Sequence, residues 1–188
     1  MVKEYNYVRP SFMFLLNEIP ESKIKGVEIG TAVGKNAIRM LDYCDRLELV
    51  CVDIDKPIAM SVIINIYGER VRFIKEFSVK AAEDFPDGYF DYVYIDGAHD
   101  AENVFQDIKA WYPKLRMGGI LAGHDWWLKS VQEGVSKFVD TICWHYLFAV
   151  QSYYNKKYNL EDCHAEMMDW WFVKHPQEYY DKLSPKEV

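Results

Sequence analysis

Two short runs each set a histidine beside carboxylates at the end of an apolar stretch: Y-I-D-G-A-H-D, Tyr94 to Asp100, and G-H-D-W-W, Gly123 to Trp127. Asp96, His99, His124 and Asp125 are therefore candidates for one cluster, in which carboxylates hold a divalent cation and a histidine moves a proton near neutral pH. A third run, V-E-I-G-T-A-V-G from Val27 to Gly34, has the form of a strand emptying into a glycine turn that opens a helix, a shape that receives nucleotide-like ligands. Its Glu-x-Gly-x-x-x-Gly spacing differs from the Gly-x-Gly-x-x-Gly of dinucleotide enzymes. Asp53, in V-C-V-D-I-D, follows Gly34 by nineteen residues and is placed to accept hydrogen bonds from two ribose hydroxyls, with Asp55 as a competitor and an ordinary strand-end acid as the alternative. Ser78, in E-F-S-V, either meets an adenine edge, or N-caps a helix, or does both.

The elements that position these residues alternate between strand-like and helix-like segments, the signature of an α/β fold with a mostly parallel sheet and helices on both faces. Apolar periodicity predicts helices over Arg9 to Ile19, Lys35 to Cys44, Ile58 to Tyr67, Val79 to Asp84, Ala101 to Tyr112 and Ser130 to Cys143. Strands are expected over Ile24 to Ile29, Leu47 to Val52, Val71 to Lys75, Tyr89 to Ile95 and Ile120 to Gly123, the last entered through a turn at Gly118 and Gly119. Two further strand candidates, His145 to Val150 and Trp170 to Lys174, would complete seven strands and pair as an antiparallel edge. Residues 1–22 read as an N-terminal helix, 151–168 as a late loop and 175–188 as a tail. The candidate residues then fall at the C-terminal ends of successive strands, where open α/β sheets bind their ligands.

At 188 residues the chain suits a single domain, residues 1–188. A formal charge of −7 argues against nucleic acid or an anionic membrane as the main partner and favours a small-molecule acceptor. Cys44, Cys51, Cys143 and Cys163 form no C-x-x-C pair, and the N-terminal residues lack the apolar segment of a secretory signal, so a cytoplasmic protein with reduced thiols is expected. The aromatic residues of the tail suit a homodimer.

E-I-G-T-A-V-G, V-D at Val52 and Asp53, Ser78, Y-I-D-G-A-H-D and M-G-G-I-L-A-G-H-D-W, taken in this order and spacing, resemble the class I S-adenosylmethionine-dependent methyltransferases. The likeness runs from Gly26 to Trp127, is strengthened by D-W-W-F-V-K near the end, and points to the small-molecule O-methyltransferase branch that includes catechol and macrolide-sugar enzymes. Ala32 stands where many members have a second glycine. The resemblance implies a Rossmann-like methyltransferase fold and S-adenosyl-L-methionine held by Glu28, Gly30, Thr31, Ala32, Gly34, Asn36, Asp53, Ile54, Ser78 and Asp96. It implies a divalent cation, Mg²⁺ or Mn²⁺, on Asp96 and Asp125 with His124 as a further ligand, and His99 as general base. Trp126 and Trp127 are expected to wall an acceptor pocket for a sugar or phenol hydroxyl. Two rival readings are a non-catalytic S-adenosylmethionine-binding subunit and an NAD(P)-dependent oxidoreductase suggested by Tyr153-x-x-x-Lys157, whose glycine spacing does not match.

Overall fold

A computed structural model describes residues 15–142, 169–176 and 178. The elements are β1 (Ile24–Ile29), α1 (Lys35–Tyr43), β2 (Leu47–Asp53), α2 (Ile58–Tyr67), a 3₁₀ turn (Gly68–Arg70), β3 (Val71–Lys75), α3 (Ser78–Ala82), β4 (Phe90–Ile95), α4 (Ala101–Trp111), β5 (Leu115–Gly123), α5 (Lys129–Ile142) and β6 (Trp170–Val173). Residues 15–18 form a helical turn, so only this part of the expected Arg9 to Ile19 helix lies among the described residues. The expected strand His145 to Val150, the 151–168 loop and most of the tail lie outside them.

Six strands form one sheet in the order β3-β2-β1-β4-β5-β6. All neighbours are parallel except β5 and β6, which run antiparallel with Ile120 opposite Val173 and Gly123 opposite Trp170. The antiparallel partner of β6 is thus β5. Strand order reverses between β1 and β4, and at such a switch point the two following connections leave on opposite faces, opening a crevice at the strand ends.

Side chains alternate across the central strands and supply both faces. Val27, Ile29, Val93 and Ile95 join Val104, Ile108, Trp111 and Phe138 under α4 and α5. Tyr92 and Tyr94 face the other way, into a core with Met40, Leu41, Met60 and Ile63 from α1 and α2 and with Leu15, Leu16 and Ile19. Burial on both faces explains why β4 has every residue buried and reads as a nearly continuous apolar run.

The fifth strand begins earlier than the sequence suggests. Gly118 and Gly119 lie inside β5, where the register with β4 shifts between Phe90 and Tyr92. Gly118 adopts φ 73°, and its N–H donates to the Lys174 carbonyl at 2.8 Å. The glycine pair is an irregularity within the strand rather than the turn before it. Lys174 closes this corner, its ammonium donating to the carbonyls of Tyr112, Pro113 and Leu115 at 2.6 to 3.3 Å.

Candidate active site

The ends of β1, β2, β4 and β5 converge through backbone hydrogen bonds. Gly30 N–H donates to Val52 O at 2.9 Å, Asp96 N–H to Ile29 O at 2.8 Å, and His124 N–H to Ile95 O at 3.0 Å. Each candidate loop is therefore an extension of the sheet ladder, and its first residue is fixed by the neighbouring strand.

The glycine turn needs its composition. Gly30 has φ 82° and Gly34 φ 78°, values that side chains disfavour. A Cβ on Gly30 would lie 2.2 Å from the Asp96 carbonyl oxygen and 2.4 Å from Gly97 Cα, so the turn and the loop after β4 touch through bare backbone. A Cβ on Gly34 would meet Ile63 Cδ1 at 2.3 Å, which brings α1 close against α2. Ala32, where a glycine would be easier, takes φ 46°. Gly34 caps α1 without any side-chain hydrogen bond, leaving first-turn amides for a ligand.

Glu28 is fully buried, and its Oε1 accepts from Asn36 Nδ2 at 2.7 Å, tying the strand to the first turn of α1. Asp53 braces the turn from the other side: Oδ2 accepts from Ala32 N–H at 2.7 Å and Oδ1 from Asp55 N–H at 3.1 Å. Asp55 itself is exposed and pairs with Lys75 at 3.6 Å, so the two acids have separate roles. Ile54, half exposed, follows Asp53 at the strand end, while Thr31 is buried in the turn.

Ser78 is not an N-cap. Phe77 holds that position in α3, and no side chain bonds the cap. The Ser78 hydroxyl instead accepts from Trp111 Nε1 at 2.9 Å and bonds the carboxyl of Asp107, a buried residue of α4. Burial pushes the Asp107 carboxyl up to about 6, against the pull of that hydrogen bond. Phe77, 70% exposed, stands with Ile54 and Val79 as uncovered apolar surface beside the ends of β2 and β3. Sequence periodicity gave no notice of Asp107 or Phe77, since an acid on an amphipathic helix and an aromatic after a strand are both commonplace.

The His and Asp runs do meet. His99 Nε2 lies 2.6 Å from Asp125 Oδ2, and His124 Nδ1 lies 2.9 Å from Asp125 Oδ1 and 3.6 Å from Asp96 Oδ1. One ligand atom from each of Asp96, His124 and Asp125 falls within 4.8 Å of the others, a spacing that a single divalent ion can bridge. Asp125 has φ 58°, an uncommon conformation for a residue with a side chain, which turns its carboxylate back toward the two histidines. Burial opposes its ionisation, but hydrogen bonding from His124 and the charges of His124 and His99 outweigh it, holding the Asp125 carboxyl below the usual range. The Ser130 hydroxyl donates to His99 O at 2.6 Å and joins the His99 loop to α5.

These residues line a cavity of about 10 Å³, space for one ion or water, with Val104, Val131 and Trp170 at its wall. Trp126 and Trp127 stand outside that lining. Trp126 packs half-buried against the core, and Trp127 donates from Nε1 to Asp125 Oδ1 at 3.1 Å while remaining half exposed. Trp170 was missed because an aromatic in a short terminal strand reads simply as core.

The sequence matches the model of a methyltransferase domain over residues 27–126, more than half of the chain. A mimivirus protein, R132 of Acanthamoeba polyphaga mimivirus, is 27% identical over 147 residues, covering 68% of this chain. The chain spans 65% of that relative's length. Among solved structures, the MycE methyltransferase of the mycinamycin biosynthetic pathway, in complex with Mg and S-adenosylhomocysteine, superposes with a TM-score of 0.59 at 20% identity, over 94% of this chain and 51% of that one. The Burkholderia thailandensis 1,6-didemethyltoxoflavin-N1-methyltransferase, with bound S-adenosylhomocysteine, gives a TM-score of 0.52 at 19% identity, over 64% and 52% of the two chains. With strand order, glycine turn and family match in agreement, the chain belongs to the methyltransferase-domain family.

Proposed function

We propose that the chain methylates a hydroxyl of a small molecule, a sugar or a phenol, with a divalent cation at Asp96, His124 and Asp125. The observation that carries this reading is the convergence of those three side chains with His99 beside the crevice where Gly30 touches Asp96. MycE, whose fold this chain shares, was solved with both Mg and S-adenosylhomocysteine.

The residues suit both groups. The Gly30 turn admits no side chain, Asp53 lies where ribose hydroxyls would be received, and Ile54, Phe77 and Val79 offer apolar surface to a base. Mixed oxygen and nitrogen donors accommodate Mg²⁺ and favour Mn²⁺. When bound, the cofactor supplies an electrophilic methyl group and the cation supplies the positive charge that acidifies a hydroxyl.

His99 takes the proton of the acceptor. Its Nε2 faces the Asp125 carboxylate, which fixes the neutral ring with the proton on Nε2 and the basic lone pair on Nδ1. His99 is half exposed, so an acceptor can reach it from outside. Asp125 holds the ring, and the rigid backbone contact between Gly30 and Gly97 holds the two halves of the site at a fixed distance, the requirement of an in-line displacement. Trp127, bonded to Asp125, offers an exposed aromatic face to the acceptor.

Titration calorimetry with S-adenosylhomocysteine and with Mn²⁺, followed by methyl transfer to a panel of phenols and sugars, tests this reading. Turnover on a hydroxyl acceptor that falls sharply with a chelator is expected; full turnover by Asp125→Ala in the presence of chelator would remove the cation from the proposal.

A further inference from the structure

Helix α2 carries no charged residue along I-A-M-S-V-I-I-N-I-Y, Ile58 to Tyr67. Met60 and Ile63 point inward and are buried, but Ile58 is 91% exposed, Val62 55% and Ile66 67%. These three recur every four residues and so form one ridge along the helix. A single exposed isoleucine is ordinary; an uninterrupted apolar ridge on an uncharged helix marks a contact surface.

The ridge is symmetric about Val62, with Ile58 four residues before it and Ile66 four residues after it. Two copies packed antiparallel about an axis through Val62 would set Ile58 against the partner subunit's Ile66. The same operation brings exposed Lys56, just ahead of the helix and with its ammonium 5.9 Å from the Phe73 ring of its own chain, toward the partner's Glu69, in the 3₁₀ turn just behind the helix. If the Lys56 side chain swings off Phe73, opposite charges would meet at both ends, and each helix N-terminus would lie beside the other's C-terminus, which favours the antiparallel pair. Because each chain carries a net charge of −7, an uncharged ridge is also where two copies approach with the least repulsion.

We propose that α2 is the contact of a reversible two-fold dimer of this chain, centred on Val62 and oriented by Lys56 and Glu69. Two ten-residue helices bury well under the roughly 1,600 Å² of a standard interface, so the dimer is of the weak, concentration-dependent kind. The inference is independent of the reaction proposed above.

Sedimentation velocity of the full chain, over protein concentrations from about 1 to about 500 μM, reads the association directly. A monomer–dimer equilibrium is expected. Val62→Arg, which sets like charges face to face at the axis, should raise the dissociation constant at least about tenfold. Lys56→Glu and Glu69→Lys should each weaken it several-fold, and the two together should restore it to within about twofold, because the charge pair is then reversed rather than removed. All these side chains are exposed, so unchanged thermal melting verifies the fold of each variant. A chain that stays monomeric throughout, a dimer indifferent to Val62→Arg, or a double variant as weak as the singles would overturn the proposal.

Discussion

His99 and Asp125 come from loops after different strands, yet Nε2 and Oδ2 lie 2.6 Å apart. The other Asp125 oxygen faces His124 and Trp127. This carboxylate has two tasks in the proposed reaction, cation ligand and orienter of the base, and substitutions at its two neighbours should separate them.

His99→Gln should lower kcat about 10²-fold to 10⁴-fold, the usual contribution of general acid–base catalysis, while Mn²⁺ affinity stays equal or rises because a competitor for Asp125 is gone. Asp125→Asn should lower both, with cation affinity falling at least about tenfold. Steady-state kinetics beside calorimetry with Mn²⁺ checks the split. Equal cation loss in the two variants would mean that His99 is a ligand rather than a base.

Gly30→Ala should abolish binding of S-adenosylhomocysteine and destabilise the fold by several kcal/mol, since the added methyl would lie 2.2 Å from the Asp96 carbonyl oxygen at φ 82°. Urea unfolding and calorimetry measure the two effects. Ala32→Gly, at φ 46°, is the control and should leave stability within about 1 kcal/mol of the parent.

Much of this architecture was legible in the sequence because its signals are local. Glycine spacing marked the turn after β1, β-branched runs marked the strands, and the two His-Asp runs marked the ends of β4 and β5. What escaped depends on contacts between distant segments. The Leu115 to Met117 start of β5 carries Arg116 and precedes two glycines, so it resembled a loop; only pairing with Phe90 and the Arg116 bond to Asp91 at 2.5 Å make it strand. Ser78 reads equally as an adenine contact or an N-cap from sequence, but Phe77 takes the cap position and Trp111, thirty-three residues away, uses the Ser78 oxygen. Six strands are present among the described residues against the seven expected, and the remaining candidate, His145 to Val150, lies outside them.

Asn36→Ala should cost about 1 to 3 kcal/mol, because it removes the donor to a fully buried Glu28 oxygen. Chemical denaturation gives the loss. Glu28→Gln in the same background should recover part of it, since a neutral amide is cheaper to bury than a carboxylate.

Asp107→Asn should change the pH dependence of stability. With the folded carboxyl raised to about 6 from an ordinary value of 3.8, the unfolded chain ionises first. Stability is thus greatest below the ordinary value, declines as pH rises toward 6, and above that carries a constant penalty of roughly 3 kcal/mol. The asparagine variant should therefore gain stability at pH 8, show little gain at pH 4, and lose this slope between those points. Thermal melts across that range are decisive, and a slope equal to the parent's would assign the pH dependence to other groups.

In the proposed reaction, the bare contact between Gly30 and the backbone of Asp96 and Gly97 also gives cofactor and cation a direct path of coupling. With no side chain between the two backbones, a ligand on the Gly30 turn would bear directly on the loop from which Asp96 holds the proposed cation. If S-adenosylmethionine changes the affinity for Mn²⁺ by some factor, Mn²⁺ must change the affinity for S-adenosylmethionine by the same factor. In the proposed reaction Gly30 is thus the point through which the two ligands would sense each other.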